Sequence, residues 1–146
     1  MKRGMLAVLL LVLMVSSAWG VEHWYRYQGT LSGNWRWVTG ESFRGSQEYD
    51  VLVCYETTPW SISLQVKDTD IVVWSGELDK EKTKLYFWAS SVAADQKVVG
   101  RGSFNAKYTA LNLQGHSFYR SVAPGSRACF VQYRFRGQFV DVVTKP

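Results

Sequence analysis

Eight of the chain's seventeen lysines and arginines fall within its last fifty residues, 97–146, where Asp141 is the only carboxylate. Residues 21–96 carry the opposite balance, seven cations against eleven acids. A cationic excess with so few counter-charges favours contact with anions, whether phosphate, acidic polysaccharide or lipid headgroup. Arginine is the informative part of that excess, because its planar fork meets carboxylate or phosphate through two parallel hydrogen bonds. Arg134 and Arg136 lie two residues apart in the segment 129–143, CFVQYRFRGQFVDVV. In an extended strand they share one face with Gln132, while Val131, Tyr133 and Phe135 take the other. Arg26 joins this basic stripe if the first and last strands pair.

Aromatic residues are the second chemical signal. Six Trp, eight Tyr and seven Phe follow residue 20, more than one core of this size absorbs. Trp24, Trp35 and Trp37, close in sequence to Arg26 and Arg36, are expected to form a surface platform for stacking. Trp74 and Trp88 are expected to be buried, in a strand covered on both faces or at an interface within an oligomer. The candidate ligand-binding set is therefore Trp24, Arg26, Trp35, Trp37, Arg134 and Arg136.

Catalysis lacks equivalent support. His23 and His116 stand alone, outside any metal-ligand spacing, and no nucleophile-elbow, phosphate-loop or HExxH pattern occurs. The carboxylates at Asp68/Asp70 and Glu77/Asp79/Glu81 sit in polar strings suited to solvated turns rather than to a shielded acid/base pair. The expectation is a non-enzyme with no catalytic residue, no cofactor and no metal.

The start of the chain predicts export from the cytoplasm. Lys2 and Arg3 precede an apolar run of eleven residues, 5–15, and small residues at Ala18 and Gly20. Eleven residues are too few to span a bilayer, so residues 1–20 read as a secretory signal peptide and 21–146 as a single β domain, periplasmic or secreted. Losing Lys2 and Arg3 lowers the formal net charge from +5 to +3. In an oxidising compartment Cys54 and Cys129 are expected to form one disulfide. Closing that 75-residue loop (129 − 54) would stabilise by roughly 4 kcal/mol. Export also argues against nucleic acid, and no later segment reads as a membrane span. The partners expected are an anionic polysaccharide or envelope surface, or alternatively a protein.

Short alternating segments punctuated by glycine must position these residues. Residues 23–31 put Tyr25, Tyr27 and Leu31 on one face and Trp24, Arg26 and Gln28 on the other. Ser32-Gly33 predicts a turn, 39–47 a surface loop, and Asn105-Ala106 the loop of a two-residue hairpin. Gly137 predicts a bulge, residues 90–96 one short helical turn, and Pro124-Gly125 the centre of a type II turn in a loop over 121–127. YRYQGTL (25–31) and YRFRGQF (133–139) share an order of aromatic, arginine, aromatic, polar, glycine, which would suit terminal strands that pair to close a barrel. The pattern predicts an all-β fold, an antiparallel barrel or two-sheet sandwich of about 8–10 short strands.

Gly33-Asn34-Trp35 resembles the GxW signature of the calycin barrels, the lipocalins and avidins. That resemblance implies a barrel carrying a small apolar ligand, with Arg134 or Arg136 packed over Trp35. Docking onto another protein, as an inhibitor or assembly subunit, is the other alternative to surface binding.

Overall fold

A computed structural model describes residues 20–81, 84–91, 96–120 and 128–145. Eight strands follow in order: β1 (Glu22–Trp37), β2 (Ser42–Cys54), β3 (Trp60–Val66), β4 (Val72–Glu81), β5 (Lys84–Ser91), β6 (Gln96–Phe104), β7 (Ala110–Arg120) and β8 (Ala128–Lys145). Each runs antiparallel to the next and β8 returns to β1, so the sheet closes into a barrel. Closure satisfies strand edges that an open sheet would expose. No helix among the described residues is long and apolar enough to cross a membrane.

The inward parity of each strand supplies the core. Tyr27, Val51, Val53, Ile62, Leu64, Trp74, Leu78, Phe87, Val98, Leu111, Leu113 and Phe135 are all buried in one cluster. An eight-stranded barrel is just wide enough for such side chains to fill it. Trp74 lies nearly parallel to Phe87, with ring centroids 5.8 Å apart. Trp88 has the opposite parity to Phe87 and is exposed in the single chain, so it is not covered on both faces by its own barrel.

The two similar segments do meet. β1 and β8 pair over their whole common length, with Gly29 directly opposite Gly137. The extra residue in this pair is Val140, opposite the Arg26/Tyr27 step, so the bulge is there and not at Gly137. Ser32-Gly33 makes no turn, and β1 runs straight through it. Gly33 instead makes room for the Trp35 ring, whose Cη2 is 2.5 Å from where a Cβ would stand. The segment read as a loop over 39–47 contributes most of the outer half of β2, and the chain reverses at residues 38–41, where Gly40 has φ 94°. The β6–β7 connection holds five residues, 105–109, with Asn105 Oδ1 accepting from the backbone N–H groups of Thr109 (2.8 Å) and Ala110 (3.0 Å). Its Tyr108 has φ 56°. The proposed signal peptide (1–19 of it), the short helical turn (92–95) and the Pro124-Gly125 turn lie outside the described residues.

The expected disulfide does not form; both cysteines are free and buried. Cys54 follows Val53, which pairs with Tyr25 near the start of β1, whereas Cys129 pairs with Trp37 at its end. Twelve residues of strand, roughly 40 Å, separate those levels, far beyond disulfide reach. The two also differ in parity: Cys129 points inward with Val131 and Phe135, Cys54 outward with Leu52. Burial pushes the Cys129 thiol up, which keeps it protonated at neutral pH. Ellman's reagent should therefore find two thiols in denaturant and essentially none in the folded protein. A denatured, unreduced sample with no titratable thiol would contradict this geometry.

Candidate functional site: an arginine and amide face outside the barrel

Antiparallel register builds the site from outward residues of β6, β7, β8 and β1. Arg101 pairs with Gln114, Gln114 with Arg134, and Arg134 with Ser32, which makes one polar row across four strands. On one side of it lies the row Asn112, Arg136, Thr30; on the other lies His116, Gln132, Asn34. Neighbouring strands are about 4.8 Å apart, so Arg101 and Arg134 stand roughly 10 Å apart at Cα, and Arg134 and Arg136 roughly 7 Å. Two hollows, of about 780 and 670 Å³, flank the central row and share Arg101, Gln114 and Arg134 as lining. Gly100 faces Gly115 beneath the larger one, and a Cβ at either would point inward, onto Phe87 Cε1 (2.7 Å) and the Tyr133 hydroxyl (2.9 Å) respectively.

Hydrogen bonding orients only part of this face. With its carboxamide turned to set the oxygen toward Arg101, Gln114 accepts from Arg101 Nε (2.9 Å) and Nη2 (3.2 Å). Among the described residues no carboxylate lies within ion-pair distance of Arg101, Arg134 or Arg136. Arg134 and Arg136 therefore keep their donors for an incoming acceptor. The nearest acids in register each lie two strands away, Asp79 from Arg101 beyond Tyr86, and Glu48, which holds Lys67, from Arg136 beyond Thr30. Tyr133 packs on the inner side, and burial pushes its phenol well above the usual range. Such a face can bind planar anions through forked hydrogen bonds. No group of three or more His, Cys, Asp or Glu residues that could hold a metal occurs among the described residues.

The six residues singled out from sequence do not converge. Arg134 and Arg136 lie side by side on this face. Arg26 is six residues down β1 from Ser32, and Asp141 holds it through Nε (2.8 Å) and Nη2 (2.6 Å). Trp24 carries the Lys145 ammonium 4.8 Å above its ring and donates its indole N–H to Glu22. Trp35 has the inward parity of Gly33 and Val131, and its ring lies 5.6 Å from that of Phe43. It therefore cannot take Arg134 or Arg136 over its ring, as a calycin-like arrangement would require. Trp37 stands at the far end of β1, opposite Cys129. Sequence reading missed Arg101, Gln114 and Asn112. The hairpin alternation carried the signal: Arg101 is polar on the parity opposite Val98, Gly100 and Gly102.

Fold and face together define a closed eight-stranded antiparallel barrel with a guanidinium-lined exterior. Similar solved structures include two crystal structures of the vaccine antigen Transferrin Binding Protein B from Haemophilus parasuis Hp5. The Trp-176-Ala mutant superposes with a TM-score of 0.52 at 15% identity, over 82% of this chain and 27% of that one. The Tyr-167-Ala and Trp-176-Ala double mutant gives 0.50 at 16% identity, over 85% and 26%. This chain thus spans about a quarter of those proteins' length, and the likeness is one of fold. No protein-family model matches the chain, and no curated protein matches it by sequence.

Proposed function

We propose that the chain is an exported, non-catalytic binding module whose outer β6–β7–β8 face takes a carboxylate-rich surface of a partner. The observation that carries this reading is the set of three outward guanidinium groups, Arg101, Arg134 and Arg136, with no acid in ion-pair reach among the described residues. Unpaired arginine on a sheet face is held there against mutual repulsion, and a flat anionic partner relieves that cost. A protein partner is favoured over an anionic polysaccharide, because the proteins of similar fold are named for binding a protein, transferrin. The packed interior weighs against a calycin-like carrier with its ligand deep in the barrel.

Replacing Arg134→Glu and Arg136→Glu together tests the proposal, since both side chains are exposed and outside the core. Adsorption to immobilised poly-glutamate and to a polyuronate should fall at least about tenfold in the double variant, with an unchanged circular dichroism spectrum. Wild-type adsorption should weaken steeply with salt, because screening acts over about 10 Å at 0.1 M. Adsorption unaffected by both substitutions removes the proposal. A preference for the polyuronate would move the partner from protein to glycan.

A further inference from the structure

The end of the barrel opposite the β1–β2 turn carries a third, chemically different hollow. Tyr25, Tyr55, Trp60, Tyr108 and Phe139 wall a cup of about 500 Å³, with Lys107 at its lip. Its size falls within the range of small-molecule sites. The rings meet at steep angles: Tyr55 stands at 89° to Trp60 and 90° to Tyr108, with centroids 4.7 and 6.2 Å apart. Tyr108 and Phe139, on the rim, remain more than a third exposed.

The hydroxyl groups explain how this wall is held. Tyr27 donates to the Tyr108 carbonyl oxygen (2.9 Å), so its hydroxyl must accept from Tyr55 (2.8 Å). That chain fixes the Tyr55 ring and the β6–β7 loop against each other. Burial is the main cause that pushes the Tyr55 phenol far above its usual range, so the donor persists at any physiological pH. Lys80 donates to the Tyr108 hydroxyl (3.2 Å). Among the described residues, the Lys107 ammonium, the Tyr25 hydroxyl and the Trp60 indole N–H have no side-chain hydrogen-bond partner. Glu56, next to Tyr55, is engaged by the ring and backbone N–H of His23.

The cup is thus rich in aromatic carbon and free donors and poor in free acceptors. We infer that it binds a compact aromatic carboxylate, with the ring stacked among Tyr55, Trp60 and Tyr108 and the carboxylate on Lys107. Two nearby ammonium groups, Lys80 and Lys107, oppose the quaternary-ammonium ligands that aromatic boxes otherwise suit. A sugar would leave most of its hydroxyl groups unpaired against the rings. This site is separate from the arginine face and does not depend on its role.

Titration calorimetry with indole-3-acetate, its uncharged amide and choline tests the inference. Indole-3-acetate should bind saturably at roughly millimolar concentration or below. The amide should bind about tenfold more weakly, the difference one charge-assisted hydrogen bond makes. Lys107→Gln, at an exposed loop position, should lose the same factor, and Tyr108→Ala should weaken both ring-bearing probes. Arg134→Glu with Arg136→Glu should leave all affinities unchanged, which separates this site from the proposed face. Absence of saturable binding, equal affinity for acid and amide, indifference to Lys107→Gln, or tighter binding of choline would each overturn the inference.

Discussion

Gly29→Ala should destabilise the barrel by about 3 kcal/mol, a fall of roughly 10 °C in Tm, measured by scanning calorimetry. Gly29 lies in β1 directly opposite Gly137, at the seam where the last strand returns to the first. A Cβ there would stand 1.9 Å from the Arg136 carbonyl oxygen and 2.5 Å from the Gly137 Cα. Both obstacles are backbone, so no rotamer change relieves the overlap and the two strands must part. Separation would break ladder hydrogen bonds on the one pairing that closes the ring. Gly45→Ala is the matched control, since its Cβ would meet chiefly the ring of the exposed Phe43. Equal Tm values for the two variants would show that the seam is not so tightly drawn.

Arg26→Ala should cost about 2 kcal/mol, through loss of an ion pair that is only partly screened. The guanidinium forks onto Asp141 and lies 3.8 Å from Asp50, a carboxylate that is 1% exposed. Without it, Asp50 keeps, among the described residues, Gln28 Nε2 (3.0 Å) and the Asp68 N–H (2.9 Å). Two neutral donors compensate a buried charge less well than two donors and a cation. The Asp141 hydrogen bond raises the Arg26 pKa above a value already high. A raised folded-state pKa stabilises below the unfolded value and is lost only as pH rises through the folded one. The contribution is therefore constant across neutral pH. Urea titration at pH 7 checks the magnitude, and a loss below about 0.5 kcal/mol would mean Asp141 and Arg26 merely share solvent.

Much of the barrel was legible in local pattern. Alternation over residues 23–31 and 129–136 assigned inward and outward residues as the structure has them, because a strand's period of two depends on nothing beyond the chain itself. The similarity of YRYQGTL and YRFRGQF also anticipated the closing pair. Residues 42–47 misled, since a strand wet on both faces shows no hydrophobic period. Ser32-Gly33 misled for a different reason. Glycine marks both turns and places where a neighbouring ring needs space, and only packing separates the two.

Composition established the cationic excess of the last fifty residues, and two-residue spacing put Arg134 and Arg136 on one strand face. Only tertiary structure decided that Arg101 stands beside them while Arg26 is spent on Asp141, and that Cys54 and Cys129 never meet. Parity is a local property of an extended chain. Register and neighbour order arise when strands far apart in sequence close a ring, and they settle which outward groups become one surface.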